Sequence, residues 1–590
     1  MLRSGASEEA KSLWERLANV AKKYRLNGGY IDLPRLLNEL EFKFELKPWP
    51  QYRQDFEAIE RRTRQELQSI PDQIGQSVHI SRKSEIERIQ QKADAHNSFA
   101  ITGESGCGKS VLTRKWIETH LAKYPVLWIQ GRDLVRQIFN DLEASLRLAH
   151  PLEELAGAVT AKYAYCVIDG VENAIGEAAL KTLGAIMRAL KIGDEDSRWR
   201  LVMTCQSEEW LRFSPDTAKF TGLSYAIESL LVSLPTHEEY EEVYQKFPQV
   251  RALVLQKDLN ALMRRPQIVD VVVRGLLAGN AINHVDWLGE ASIANWHWRT
   301  QVMTGPNRSA RGKSMMRIAE IQADTMLPDI GLSDSPDRTD ELLDSSLLLE
   351  RENRLSFQHD LYGDRTRLQI LTEHQNDVVA FVNRKLTSPF WNRALRLYGL
   401  HLLEIDKTGG RWFDVLSAFG TQDSGADAQD IILEALFHVS NPKPLLDTVW
   451  HHLITEDGNL LKRMLGRFLH ATTMPDKIVV ALCDSEIQRV QYAAKYRLPY
   501  WMFWQPMLLF LYEHKDEILQ LTPELVAEIS NIWLDFARKY PDRKLAGTQE
   551  AADFSITLAE NMLVLEWDYS RTTDQITPQA FTKRPTAEGS

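Results

Sequence analysis

The chain has few cysteines, no long apolar runs and no surplus of positive charge, and each shortage removes a class of protein. Only four cysteines occur in 590 residues: Cys107, Cys166, Cys205 and Cys483. None stands in a C-x-x-C or histidine-rich metal spacing, and two fall in apolar strand-like runs. Free thiols in a reducing compartment are therefore expected, not a disulfide framework. No apolar run reaches membrane-spanning length, and the opening residues Met1-Leu-Arg-Ser-Gly-Ala-Ser-Glu-Glu9 lack an apolar signal core. The expectation is a cytoplasmic chain with no membrane partner. A formal charge of −11 argues against a surface that clings to nucleic acid throughout, leaving room for a local basic groove at most. No Leu-Ser-Gly-Gly signature follows the glycine-rich loop described next, which argues against a transporter ATPase. No fixed-period repeat is evident either.

What is present centres on Ile101-Thr-Gly-Glu-Ser-Gly-Cys-Gly-Lys-Ser110. Ser98 to Thr102 reads as a buried strand, and the spacing of Val111, Leu112, Trp116, Ile117 and Leu121 becomes helical after Lys109. This is the strand–loop–helix setting of a phosphate-binding loop, G-x-x-x-x-G-K-S. Gly103, Gly106 and Gly108 let the backbone turn so that the N–H groups of Glu104, Ser105, Cys107 and their neighbours through Val111 face a polyphosphate. The helix N-terminus adds partial positive charge. Lys109 supplies an ammonium for the β/γ-phosphates and Ser110 a hydroxyl ligand for Mg²⁺. ATP or ADP with Mg²⁺ is the expected cofactor.

With 44% hydrophobic residues the chain can bury several cores, and about three to five domains are expected. Residues 1–76 read as an N-terminal helical region. Leu13, Trp14, Leu17 and Val20 share one face there, and after a break at Lys47-Pro-Trp-Pro50 comes a charged helix from Asp55 to Leu67 with a solvated face. Residues 77–235 form the P-loop NTPase core. Ser84 and Glu87 suggest a helix cap ahead of the loop. Further strands are expected at Val126–Gln130, Tyr163–Asp169, Arg200–Cys205 and within Ala226–Leu234, and the stretch 132–160 is helical in pattern. Strands alternating with helices imply a parallel sheet covered on both faces. Residues 236–300 form a helical lid entered at Thr236-His-Glu-Glu239. Residues 301–375 form a winged-helix domain, with a mobile loop at Gly305–Ser314 and a hairpin from Ser346–Glu350 and Arg354–Gln358. Residues 376–570 are α-helical, for example where Thr522 and Pro523 open a helix carrying Leu525, Val526, Ile529 and Trp533. Paired helices of this kind suit a solenoid. Residues 571–590 hold little apolar matter and are expected to be disordered.

Hydrolysis needs a metal and an oriented water as well as bound phosphates. Asp169 ends an apolar strand where a carboxylate faces the metal, the Walker B position. Glu172 is the nearest acid able to polarise the attacking water, or it caps the next helix. Thr204 and Gln206, at the end of the fourth strand, are placed to sense a γ-phosphate.

The order of these pieces resembles the STAND class of signalling ATPases, which contains the NACHT and NB-ARC proteins. Asp169-Gly-Val-Glu-Asn173 is similar to the NACHT Walker B run, with Asn173 where a second acid is usual. Gln358-His-Asp-Leu-Tyr-Gly-Asp364 resembles the NB-ARC methionine-histidine-aspartate run. The resemblance implies that His359 reaches the β-phosphate of ADP and locks a closed state, that Arg265-Pro266 lies against the base, and that Ser81-Arg82 adds an adenine contact. It covers about residues 78 to 370. Two departures, Gln206 for an arginine and Gly170 at the AAA+ glutamate site, imply slow hydrolysis. The helical N-terminal region and long helical C-terminal half resemble bacterial antiphage STAND ATPases. That implies an activating ligand on the C-terminal region, homo-oligomers in the ATP state and an effector not identifiable here. Two alternatives stand beside this: an AAA+-like nucleic-acid-handling ATPase using Arg308, Arg311 and Lys313, and an ATP-binding scaffold without hydrolysis.

Overall fold

The computed structural model describes residues 7–26, single positions between 29 and 44, 50–136, 139–174, 176–194, 197–207, 209–210, 227–256, 259–282, 287, 289–336, 339–351, 353–385, 388–420, 425–439, 441–476, 479, 488, 491–492, 495–540, 544–567 and 581–585. The chain divides into two compact units, Met1–Gln369 and Ile370–Ser590.

Unit one is built on a parallel sheet of five strands: β1 (Ser98–Gly103), β2 (Val126–Gln130), β3 (Ala164–Asp169), β4 (Trp199–Gln206) and β5 (Glu228–Leu231), in the order β2-β3-β4-β1-β5. Their runs are apolar throughout because both faces are covered. On β3, Tyr165 and Val167 join one core with Trp116, Ile117 and Ile89, while Cys166 and Ile168 join the other with Leu183 and Ile186. This is the period of two expressed as two separate cores. The helix Lys109–Glu118 therefore lies on one face and Glu177–Ala189 on the opposite one. β2 is an edge strand, and its open backbone is partnered by a side chain. The Thr63 hydroxyl, on helix Arg53–Gln68, donates to the Val126 carbonyl (2.6 Å) and accepts the Trp128 N–H (3.2 Å).

Several sequence expectations change here. Helix Arg53–Gln68 has a solvated side, where Arg53–Glu57 and Arg64–Glu60 pair at i,i+4. Glu66 is not on it: at 1% exposure it pairs with Arg62 (3.0 Å) and with Arg351 (2.7 Å). Trp14 is 74% exposed, whereas Leu13 and Val20 on the same helix are buried. Neighbouring positions sit about 100° apart on a helix, so Leu13 and Trp14 do not share a face. Ser84 lies inside helix Lys83–Ala95, whose cap position is Arg82, with no side-chain cap. The stretch 132–160 breaks into Asp133–Arg136, Phe139–Ser145 and Leu152–Gly157, with Arg147 left-handed before Pro151. At 236–239 the capping box forms: Thr236 N–H donates to Glu239 Oε2 (2.8 Å) and Glu239 N–H to Thr236 Oγ1 (3.3 Å), closing a turn before helix Glu241–Lys246.

Beyond it lie helices Pro266–Leu277 and Glu290–His297, the latter running into a π turn, Trp298–Val302. The segment expected as a mobile loop is largely the start of helix Arg308–Thr325. Composition misleads there because tertiary bonds override it. Arg311 is buried and donates to the carbonyls of Val302 (3.0 Å), Gln301 (3.0 Å) and Glu341 (2.8 Å). The hairpin strands β7 (Leu348–Arg351) and β8 (Arg354–Phe357) form with β6 (Ile330–Gly331) a three-stranded antiparallel sheet, β6-β8-β7, followed by helix Asp360–Glu373.

Unit two is chiefly helical. Helices Phe390–Ile405, Ala426–Glu434 and Thr455–Ala471 meet around Glu434, which is fully buried and paired with Arg396 (3.4 Å) and Arg467. Helix Pro523–Arg538 starts where Thr522-Pro523 indicates, although Thr522 makes no side-chain cap. Two short antiparallel pairs interrupt the helices: β9 (Thr473–Pro475) with β10 (Arg497–Pro499), and β11 (Leu563–Trp567) with β12 (Phe581–Pro585). β12 falls within the tail expected to be disordered; 571–580, 586–590 and Cys483 lie outside the described residues. Among the described residues, no helix is long and apolar enough to cross a membrane.

Candidate nucleotide site

β1 delivers the chain into the glycine-rich loop at the carboxyl edge of the sheet, beside β4, with β3 one strand further on. Gly106 (φ 78°) and Gly108 (φ 97°) adopt left-handed backbone, which side-chain-bearing residues resist, and Gly108 leads directly into helix Lys109–Glu118. Gly103 is needed for space instead, because a Cβ there would lie 2.7 Å from Cys107 Sγ. The buried Lys109 folds back over the loop and donates to the carbonyls of Gly103 (3.1 Å) and Glu104 (3.0 Å).

Asp169 is buried at the end of β3. Its Oδ1 accepts from Ser110 Oγ (2.8 Å) and Thr204 Oγ1 (2.6 Å), and Thr204 Oγ1 accepts from Gly170 N–H (2.7 Å). Burial pushes the carboxyl up from its usual range, against the two hydroxyls and the Lys109 ammonium, which favour its charge. Thr204, expected to sense phosphate, instead has its hydroxyl proton committed to Asp169. Glu172, three residues on, is in a different state. Burial pushes it up to about 7, with Lys109 opposing, and among the described residues its Oε2 has no hydrogen-bond partner. Asn173 beside it donates to Asp360 Oδ2 (3.0 Å).

These groups open on a cavity of about 260 Å³. The loop from Ser105 to Val111, Lys109, Asp169, Glu172 and Thr204 line one side; Arg82, Pro266 and His359, from three other segments, line the rest. The structure thus brings the sequence-nominated residues together, Gly103 and Glu104 excepted. Gly103 closes against Cys107, and the Glu104 carboxylate turns to Arg265 (2.6 Å), which also pairs with Glu290 (3.2 Å). Arg82 is buried with its charge met by Glu239 (3.3 Å) and Glu85 (3.9 Å). His359 accepts the Leu361 N–H at Nδ1 (3.2 Å), which places the ring proton on Nε2.

Sequence reasoning missed the loop Ser69–Ile80, which supplies Ile70, Ile74 and Ile80 to the cavity wall. It is held from four sides. Arg114 bonds the Ile70 carbonyl, Lys115 the Ile80 carbonyl (3.4 Å), Gln358 the Ser69 carbonyl (3.3 Å), and Asp270 accepts the Gly75 N–H (2.8 Å). No local pattern marks such a wall, since its partners lie far along the chain.

The donor chemistry suits a hard divalent cation. Ser110, Asp169 and Thr204 offer only oxygen, with a single carboxylate, as Mg²⁺ shared with phosphates requires. Among the described residues no group of three or more His, Cys, Asp or Glu side chains is arranged to hold a metal, and this mode of binding needs none. For nucleic acid the balance moves the other way, because Arg311 is consumed inside the fold.

No protein-family model matches the chain, and no curated protein does. Among solved structures it is similar to a Walker-type ATPase of Pyrococcus abyssi, at 13% identity and a TM-score of 0.26 over 51% of this chain and 99% of that one. It is also similar to the Aeropyrum pernix ORC2 protein in its ADPNP–ADP complexes, at 11% identity and 0.27 over 50% and 94%. At TM-scores this low neither likeness bears on the chemistry, which rests on the geometry above.

Proposed function

We propose that the chain binds ATP and ADP with Mg²⁺ in this cavity, hydrolyses ATP slowly, and uses the exchange to switch between closed and open arrangements in the manner of STAND ATPases. One observation carries the reading. The cavity that holds Lys109 and Asp169 is walled by Pro266–Gln267 and by Gln358–His359–Asp360, so one small ligand touches segments separated by some 250 positions of sequence. A diphosphate and a triphosphate placed there stabilise different arrangements of those segments, which is what a bistable switch requires. Ser110 and Asp169 are the residues to hold the cation, which supplies charge neutralisation at the phosphates. Lys109 binds the β/γ-phosphates. Glu172, unpartnered at one oxygen and balanced near neutral pH, takes the proton of the attacking water. His359 donates from Nε2 toward the β-phosphate.

The remaining parts of the reading follow the family resemblance: a core at 77–235, a lid at 236–300, a winged helix at 301–375 and a sensor, stacked as a solenoid, at 376–570. A ligand on that sensor opens the molecule, ATP replaces ADP, and copies assemble, in cytoplasmic antiphage defence. Native mass spectrometry with ADP and with a slowly hydrolysed ATP analogue tests this directly. One bound nucleotide per chain is expected in both, with higher assemblies only in the second. A chain that carries no nucleotide in either condition overturns the proposal.

A further inference from the structure

The first turn of helix Pro266–Leu277 lies over the glycine-rich loop. Gln267 N–H donates to the Gly106 carbonyl (3.2 Å), and Pro266 lies against Gly108, 3.8 Å from where a Cβ would stand. Arg265 anchors the same turn through its ion pair with Glu104 (2.6 Å), so the contact spans the loop from residue 104 to 108. Within it the Gln267 side chain packs against Gly106: a Cβ on that glycine would meet Gln267 Oε1 at 2.8 Å and its Cβ at 3.1 Å. Gln267 is also part of the cavity wall.

What sets this residue apart is its carboxamide. Both Nε2 and Oε1 are shielded from solvent, and among the described residues neither has a hydrogen-bond partner. A shielded amide with both ends unmet is destabilising and rare in folded proteins, and it calls for a reason. Packing does not supply one, because leucine fills nearly the same volume without polar atoms. A leucine-like side chain is also the better choice for the apolar face of this helix, where Ile268, Val271 and Val272 are buried. The two ends of the carboxamide are nearly isosteric, so a half-turn of its last bond presents the NH₂ to an anion.

We propose that Gln267 is a phosphate ligand supplied by the lid, its carboxamide NH₂ donating to an oxygen of the nucleotide's polyphosphate above Gly106. The assignment rests on the nucleotide reading of the cavity and adds a residue to it. It also gives the lid a direct chemical register of whether the loop is filled. With phosphate present the NH₂ is met and the first turn stays on the loop; without it, the contact carries two unmet polar groups and is weakened.

The test is Gln267→Leu in the full chain, read by calorimetric titration with Mg-ATP and Mg-ADP and by thermal unfolding without nucleotide. Affinity should fall about tenfold or more, the size of one lost hydrogen bond to a charged group. The nucleotide-free midpoint should rise by about 2 °C, because an unmet amide has been removed. Gln267→Glu, which puts a carboxylate against the phosphates, should lose more than Gln267→Leu does. A packing role predicts the reverse pairing, with the melting point of Gln267→Leu falling along with affinity or both unchanged, and either result overturns the assignment. If the wild-type chain binds both nucleotides and Gln267→Leu binds them equally well, this inference fails alone. If the wild-type chain binds neither, the nucleotide reading fails and takes this inference with it.

Discussion

The two sides of the cavity are built on opposite plans. On the strand-end side the loop and strand-end groups are already partnered, with Glu172 Oε2 the exception among the described residues: Lys109 on two loop carbonyls, Ser110 and Thr204 on Asp169, Gly170 on Thr204. Those groups come from a short loop and two strand ends of one sheet. The facing side is assembled from Ser69–Ile80, Pro266–Asp270 and Phe357–Asp360, held by single bonds between distant segments, and it contains the unmet amide of Gln267. A network satisfied within itself keeps its shape whether or not a ligand is present. One held by scattered contacts changes when any of them is exchanged for a ligand. The first side is suited to binding and chemistry, the second to reporting.

The sharpest way to break this comparison is Lys109→Ala. If the strand-end side does the binding, removing two charge-assisted contacts of about 2 kcal/mol each should cost on the order of a thousandfold in Mg-ATP affinity. Calorimetric titration measures it, and a loss of less than tenfold would move the binding energy to the facing side.

Glu172→Gln comes next. A base ionising near 7 gives turnover that climbs with pH and levels off above about 8. The glutamine variant should lose that climb and about a hundredfold of rate, with nucleotide affinity kept. Stability should move the opposite way. The folded carboxyl is raised from 4.5 to about 7, so its contribution is present below 4.5 and is lost as pH rises through 7. Wild-type chain should therefore weaken between those values relative to Glu172→Gln, by at most about 3 kcal/mol at pH 8, read by urea unfolding at both pH extremes. Parallel pH curves for the two proteins would show that Glu172 ionises as an ordinary carboxylate.

The same contrast explains what was legible. β2, β3 and β4 lie within a residue or so of their expected bounds, because strands buried on both faces read as unbroken apolar runs. The phosphate loop and Asp169 were legible because their chemistry is local in sequence. Misreadings cluster where tertiary contacts override composition. Gly305–Ser314 carries every mark of a loop, yet Arg311 draws it into a helix, and Gly312 is admitted because Met303 Sδ would lie 2.5 Å from a Cβ there. Glu66 sits in a run of charges that suggests solvent, and only Arg351, 285 positions away, shows why it is buried. Gln267 carried no signal beyond following Pro266, because an unmet amide is a property of its surroundings.

On the reporting side, Arg351→Ala sharpens the comparison by loosening one strut without touching the cavity floor. Glu66 keeps Arg62 but loses Arg351, leaving a buried carboxylate half-paired. Burial already pushes that carboxyl up, with Arg351 the first of the groups opposing it. A loss of about 2 kcal/mol in unfolding free energy is expected, since removing one partner of a buried pair leaves charge uncompensated. Glu66→Gln in the Arg351→Ala background should recover part of it. No recovery would show that the strut acts through packing.

The smallest effect, and the one that bears most on switching, is expected of His359→Ala. If the ring meets the β-phosphate as proposed, its removal costs one hydrogen bond to a charged group, so ADP affinity should fall about tenfold. Its consequence should appear in rate instead. If His359 ties the facing side to the diphosphate, release of a fluorescent ADP should quicken by the same factor while association stays constant, because the strand-end side that captures nucleotide is unaltered. His359→Gln, which keeps a donor at similar reach, should restore most of the slow release, something an alanine-sized loss of packing would not permit. Equal release from wild type and His359→Ala would leave the facing side as a wall with no part in holding the nucleotide, and the contrast between the two sides would then be one of construction alone.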